Sequence, residues 1–405
     1  MHNFKAIKIS ENTYWVGAID WGLRDFHGYA TNRGTTYNAY LILDNDGAIL
    51  IDTVKAPFYA EMMARISSII DPKSIKYIIS NHAEMDHSGS LPQAIQDIKP
   101  AKVYASKMGV TALKDHFNMD LGIEVAPTEL TLGHAKLKFI ETRMLHWPDS
   151  MFTFFENDGI LFSQDGFGMH LASSKIFADE NNREIVYYES AKYFANILLP
   201  YTPFIKKLFT ALPSLNLNIK MIAPDHGPIW RTKEDIDFIL SNWQKWSEQK
   251  YYNKAVILYD TMWQSTAKLA RSIADGLMDN GVEVVVMPIS VVHRSDISTE
   301  LLEAGALLIG SPTINQQIFP SIADSICYLK GLKPQNLIGQ VFGSHGWAGE
   351  ALKILTKDLT EMGVELAAEP LGVKYVPNEN DLIQAHELGA KIAKTLQQKL
   401  AEQNS

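Results

Sequence analysis

Only one cysteine occurs in the 405 residues, Cys327. A lone thiol makes no internal disulfide, holds no iron–sulfur cluster and builds no zinc ribbon. Within the apolar run Ile326-Cys327-Tyr328-Leu329 it is expected as a small buried hydrophobe, in a reducing, cytoplasmic setting. No apolar run approaches the ~20 residues that span a bilayer, which argues against a membrane role. The opening Met1-His2-Asn3-Phe4-Lys5 lacks the charged and apolar regions of a signal peptide. Basic clusters are missing as well. Lys and Arg total 37 against 46 Asp and Glu, and the net charge of −9 argues against a nucleic-acid surface. Small-molecule chemistry, with or without a small protein partner, is what remains.

What is present is length and an ordinary globular composition, 46% hydrophobic and 20% charged, enough for two or three domains with their own cores. The first ~250 residues are rich in short strands. Tyr37 to Leu43 and Ala48 to Asp52 flank the hairpin signal Asp44-Asn45-Asp46-Gly47. Further strands are expected at Ile75–Ser80, Lys102–Ala105, Lys136–Thr142, Met151–Phe155 and Ile160–Ser163, with helices near Phe58–Ile70, Glu189–Leu199 and Pro203–Ala211. This is the pattern of a mixed α/β sandwich. A helix running into a linker covers Ser241–Asn253, and then the rhythm changes. Strands at Ala255–Tyr259, Val282–Met287, Ala306–Gly310, Leu337–Phe342 and near Gly363–Ala368 alternate with helices, as in a doubly wound parallel sheet. The expected domains are 1–252 and 253–405.

The chemistry concentrates in His82-Ala83-Glu84-Met85-Asp86-His87, four potential metal ligands in a turn directly after the buried run Tyr77-Ile78-Ile79-Ser80. Alternate residues of a turn reach one metal while the adjacent pair reaches a second, and two metals need more donors than four. His146, Asp165 and His226 each stand at the end of an apolar run, where sheet-based sites are assembled. Alone, each is more simply a surface histidine or a turn former; the turn lends them weight.

These residues resemble the metallo-β-lactamase superfamily, whose hydrolases carry His-x-His-x-Asp-His in this turn. Glu84 stands where the second histidine would be. A carboxylate adds negative charge and a hard oxygen, which suits iron cycling between ferrous and ferric states better than zinc hydrolysis. That substitution is the pattern of the flavodiiron family. Trp21-Gly22-Leu23-Arg24-Asp25-Phe26-His27-Gly28-Tyr29, Gly34 to Tyr40, His146-Trp147-Pro148-Asp149-Ser150-Met151 and Pro224-Asp225-His226-Gly227 are similar to that family too, most of all to its rubredoxin:oxygen oxidoreductase type. The resemblance spans essentially the whole chain. It implies one iron on His82, Glu84 and His146, a second on Asp86, His87 and His226, and Asp165 bridging both. In some members the residue matching His87 is a doubtful ligand. His27 is implied beside the irons as a proton-handling group, against the plainer reading of a core histidine. The family usually has a tyrosine immediately before Ala-Asn in a helix; here that position is Phe194, preceded by Tyr193. Neighbouring helical residues point about 100° apart, so a phenol's role at the irons is open.

Three loops of the C-terminal half form a second constellation. Thr261, Met262, Trp263, Gln264, Ser265 and Thr266 lie in the first βα turn, where hydroxyls and helix N–H groups receive a phosphate without lysine or arginine. Pro312, Thr313 and Asn315 follow the third strand, and Ser344, His345, Gly346, Trp347, Ala348 and Gly349 follow the fourth. Together they resemble a flavodoxin FMN site, with Trp263 and Trp347 flanking the flavin. No G-x-G-x-x-G follows the first strand, which disfavours a dinucleotide.

The resemblance implies an oxidoreductase passing electrons from an external donor, rubredoxin or reduced coenzyme F420, through FMN to two irons. There dioxygen becomes water, or nitric oxide becomes nitrous oxide. It also implies a head-to-tail homodimer or a dimer of dimers. A rubredoxin domain within the chain is excluded by the single cysteine. The rivals are a metallo-hydrolase fused to a flavodoxin, which Glu84 disfavours, and an electron carrier with a merely structural N-terminal half, which the full set of donors disfavours.

Overall fold

The computed structural model describes residues 4–405. They divide into two compact units: the segments up to His27, Thr31–Tyr193 and Tyr201–Gln244, and the segments Gly28–Ala30, Phe194–Pro200 and Lys245–Ser405.

In the first unit two sheets face each other. One has seven strands in the spatial order Ile7–Lys8, Thr13–Trp15, Tyr40–Asp44, Gly47–Ile51, Ile75–Ser80, Lys102–Ala105 and Ile123–Val125. The other runs Glu129–Leu132, Ala135–Glu141, Met151–Phe155, Ile160–Phe162 and Met221–Ala223. Their inner faces share one core in which Tyr40, Ile49, Ile51 and Ile79 meet Leu137, Phe155, Phe162 and Met221. A second core, with Leu41, Leu50, Ile66, Ile78, Leu91 and Leu113, covers the outer face of the seven-stranded sheet with helices. The expected sandwich is therefore present. Helices Leu91–Ile98 and Lys107–Phe117 have no counterpart in the sequence reading, and the helix expected from Glu189 begins at Arg183.

Topology brings the polar strand ends to one edge. Gly47–Ile51 and Ile75–Ser80 are parallel neighbours, so Asp52 and the residues after Ser80 leave the sheet together. Ile160–Phe162 and Met221–Ala223 are likewise parallel, which places Asp165 beside the Pro224–Gly227 turn. Met151–Phe155 runs antiparallel to Ile160–Phe162, so the loop holding His146 precedes it at that same edge.

The second unit is the doubly wound sheet, entirely parallel, in the order Glu283–Pro288, Lys254–Tyr259, Ala306–Gly310, Ile338–His345 and Glu365–Leu366. Leu371–Lys374, missed in the sequence, adds to the far end of Ile338–His345. Buried on both faces, its central strands read as continuous apolar runs (Val256-Ile257-Leu258, Leu307-Leu308-Ile309) with helices packed on either side. Cys327 is exposed on helix Pro320–Leu332 and is no core residue. The apolar neighbours that suggested burial are split by the helical turn, which buries Ile326 and Leu329 and turns Cys327 outward.

Candidate functional site

Two groups of donors form at the polar edge of the first unit. His82, Glu84, His146 and Asp165 each offer an atom within 4.8 Å of the others, and so do Asp86, His87 and His226. Asp165 joins the two groups. Its Oδ2 lies 2.9 Å from His146 Nε2 and 3.3 Å from His82 Nε2, while its Oδ1 lies 3.1 Å from His87 Nε2 and 3.6 Å from His226 Nε2. One carboxylate thus turns one oxygen to each group.

Local structure explains how the turn delivers its side chains. Glu84 ends the extended stretch after Ser80 and precedes the short helix Met85–Ser88, which carries Asp86 and His87 inward. Beside them, Gly227 at φ +77 lets the chain turn sharply after His226; a Cβ there would sit 2.6 Å from the Met169 carbonyl. Outer contacts fix the rings. His82 Nδ1 donates to Asp149 Oδ2 at 3.0 Å, and His226 Nδ1 donates to the Thr36 carbonyl at 2.6 Å. Asp149 also accepts Ala83 N–H at 2.6 Å.

The electrostatics call for a cation. Burial alone would lower the imidazoles of His82 and His87, yet Asp149 for the first, and Asp86 and Asp165 for the second, hold both well above the usual histidine value. Burial would raise Glu84, but His146 and His82 hold it down at about 2. Asp165 is likewise held well below the carboxylate range by His87 and His146, against its burial. Without metal, protons on the imidazoles supply the positive charge that the carboxylates demand. Geometry agrees: both oxygens of Asp86, both ring nitrogens of His87 and Asp165 Oδ1 are buried without an aligned hydrogen bond, though opposite charges stand 3.0–3.6 Å away. Lone pairs so placed converge on shared points, which is how ligands face metals. Imidazole and carboxylate donors suit iron.

Around the donors, Tyr193 and not Phe194 faces the cluster. Burial and the hydrogen-bonded Asp165 carboxylate raise its phenol well above the usual value. Phe194 instead begins the π-helical turn Phe194–Leu198 and lies 5.4 Å, ring to ring, from Trp246. His27 is no core histidine: its side chain is 78% exposed, with Nε2 4.0 Å from Glu84 Oε1. It lines a cleft of about 480 Å³ with Phe26, Lys55, Glu84 and Asp86. His170, missed in the sequence, is wholly buried, 2.9 Å from Thr35 Oγ1, with its ring 4.6 Å from that of His226. Burial and His226 push it well below the usual histidine value, so it is neutral. Its sequence signal, a histidine in the Gly-rich run Gly166-Phe167-Gly168-Met169, was faint.

The second unit holds a cavity of about 660 Å³ at the carboxyl edge of its sheet. Its lining includes Met262, Trp263, Ser265, Thr313, Asn315, Trp347 and Gly349, and contains no lysine or arginine. Thr266 Oγ1 meets Ser344 Oγ at 3.1 Å, while Thr261 Oγ1 is buried with no partner at the mouth of helix Ser265–Met278. Trp263 and Trp347 are 85% and 82% exposed, bare apolar faces that a flat ring would cover. Hydroxyls and helix N–H groups for a phosphate, beside two indoles for a ring, fit FMN.

Comparison with known proteins gives concordant results. The ODP family beta lactamase profile matches residues 35–227, and the flavodoxin profile matches residues 257–389. The chain is 44% identical to the nitric oxide reductase of Moorella thermoacetica, over 96% of this chain and 98% of that protein. It is 42% identical to the rubredoxin-oxygen oxidoreductase of Megalodesulfovibrio gigas, over 98% of this chain and all of that one. The crystal structure of the flavodiiron protein from Giardia intestinalis superposes with a TM-score of 0.95 at 30% identity, covering 99% of each chain. Among the described residues no helix is long and apolar enough to cross a membrane.

Proposed function

The chain belongs to the flavodiiron family, and from that membership we propose that it passes electrons from an external donor through FMN to two irons, at which dioxygen is reduced to water or nitric oxide to nitrous oxide. The observation that carries the reading is Asp165, one oxygen turned to each donor group. His82, Glu84 and His146 would hold one iron and Asp86, His87 and His226 the other, with Asp165 serving both. Thr261 to Thr266, Pro312, Thr313, Asn315 and Ser344 to Gly349 would hold the FMN.

When bound, the flavin would take electrons from the donor and the iron pair would deliver them to the gas, four with four protons for dioxygen to two waters, or two with two protons for two nitric oxides to nitrous oxide and water. The chain's own groups do the rest. Three ligand carboxylates, Glu84, Asp86 and Asp165, balance most of the charge of two divalent irons. Tyr193, protonated, donates to Asp165 and presents a phenol toward the buried donors. His27 stands at the mouth of the cleft, 4.0 Å from Glu84, where protons arrive from solvent. Phe26 and the neutral His170 pack against one another and keep bulk water from the His226 side.

Rubredoxin is the proposed donor, with reduced coenzyme F420 as its competitor, and the proposed assembly is a head-to-tail homodimer in the cytoplasm. Glu84 weighs against hydrolysis: a third carboxylate lowers the Lewis acidity that an attacking hydroxide needs. The test compares anaerobic nitric oxide consumption with oxygen consumption by iron- and FMN-loaded protein, using reduced rubredoxin. Consumption of either gas is expected. If neither is consumed, and esters or phosphodiesters are cleaved instead, the hydrolase reading replaces this one.

A further inference from the structure

An imidazole that turns one nitrogen to a metal needs its other nitrogen held. His82 has Asp149 at 3.0 Å and His226 has the Thr36 carbonyl at 2.6 Å. His87 differs. Its Nδ1 lies 3.4 Å from Asp225 Oδ2, and His87 Nδ1 and both Asp225 oxygens are buried without an aligned hydrogen bond. Among the described residues, neither His87 Nδ1 nor the Asp225 carboxylate has another hydrogen-bond partner. The neighbouring carboxylate, Asp52, already accepts Asn81 N–H at 2.6 Å and Asn81 Nδ2 at 2.7 Å. Asp225 itself is fixed through its backbone, its N–H donating to the Gln164 carbonyl at 2.8 Å and its carbonyl accepting Asn38 N–H at 2.7 Å. A wholly buried carboxylate with no partner is costly, and one imidazole N–H stands within reach of it.

We propose that Asp225 is the positioning residue of His87: its Oδ2 accepts the Nδ1 proton, leaves Nε2 free to face Asp86 and Asp165, and thereby decides whether His87 holds the second iron. This rests on the reading of Asp86, His87 and His226 as that iron's donors. It makes Asp225 the carboxylate that faces His87 Nδ1, at 3.4 Å.

The test uses full-length protein loaded with FMN and isotopically enriched iron, as wild type, Asp225→Ala, Asp225→Asn and His87→Asn. Iron per FMN, the Mössbauer doublets and the rate of iron release to a ferrous chelator are measured. Asp225→Ala is expected to weaken one iron about 10–100-fold, the usual effect of removing an outer partner, while the other doublet and the FMN content stay as in wild type. Asp225→Asn, whose amide oxygen still accepts the Nδ1 proton, is expected to release iron at an intermediate rate. His87→Asn should give the Asp225→Ala spectrum. Wild-type doublets and release rates in Asp225→Ala, with one iron lost from His87→Asn, would overturn the proposal, as would equal loss of both irons. Should Asp225→Ala not fold, Asp225→Leu, of similar size but with no acceptor, takes its place, and a wild-type release rate in that variant overturns the proposal equally. Two irons with unchanged spectra in His87→Asn would instead defeat the donor assignment beneath it.

Discussion

The donor cluster of the first unit and the cavity of the second solve opposite problems. The cluster gathers buried charge: seven ionisable side chains from four strand ends, among them His82, Glu84, His87 and Asp165, which their neighbours hold away from their usual protonation. The cavity uses almost no side-chain charge, relying on hydroxyls, helix N–H groups, glycines and two exposed indoles. A compact divalent cation needs fixed anionic donors and tolerates little else. A phosphate on a large flat ring needs room, backbone amides and apolar faces. Loss of one side chain should therefore be catastrophic in the first and mild in the second.

Asp165→Ala is the largest expected break. Each group loses one Asp165 oxygen, and removing one partner from a buried charge network costs about 3–5 kcal/mol, roughly a 10²–10⁴-fold loss of iron affinity in all. Iron content and gas consumption should collapse together while FMN per chain stays constant. Parallel loss of FMN would show that the two sites are not independent.

Gly349→Ala probes the other side with a smaller effect. Gly349 sits at φ +78, and a Cβ there would approach His345 Cδ2 to 2.9 Å. A non-glycine residue in this conformation costs roughly 1–2 kcal/mol, so FMN should bind about tenfold more weakly, read from fluorescence of released flavin. Iron content should not change. A hundredfold loss would mean that this cavity is as intolerant as the cluster.

The same contrast governs what the sequence reveals. Side-chain chemistry crowded into one turn is visible at once, so His82 to His87 stands out, and Glu84 in place of histidine already indicates iron. His146, Asp165 and His226 are legible because strand ends announce themselves through the apolar runs before them. The outer contacts are not: Asp149 and Asp225 meet His82 and His87 only through sheet pairing, and a backbone carbonyl such as that of Thr36 leaves no residue type to read. Tyr193 and Phe194 show the limit from within a helix. Periodicity says that they diverge, but only tertiary packing, with Phe194 against Trp246 and Tyr193 near Asp165, sets the phase. Cys327 fails for the same reason, since an apolar run does not say which of its residues the helix turns outward.

The mildest expected effect, a shift in thermal stability with pH, separates the charge-built unit from the cavity-built one without any substitution. In the metal-free protein His82 and His87 are held above their ordinary value of 6.5, and His146 is raised too. Groups raised by folding contribute stability that is fully present below the ordinary value and lost as pH rises through the folded one. Asp225, raised by burial and by Asp52, acts in the same direction. On the acid side Glu84, held at about 2 against an ordinary 4.5, has the opposite sign: its contribution is present above 4.5 and lost as pH falls toward 2. Buried neutral His170 adds to that acid loss, because the unfolded chain takes up a proton there first. The metal-free protein should therefore be most stable on the acid side of neutrality, and its calorimetric midpoint should decline as pH rises above about 6.5. Ferrous iron reverses the alkaline limb, because the metal takes the place of the imidazole protons and binds more tightly as they leave. A metal-free midpoint that climbs steadily into alkaline pH would mean that the cluster's protons do not stand in for a cation, and the contrast between the two units would lose its electrostatic basis.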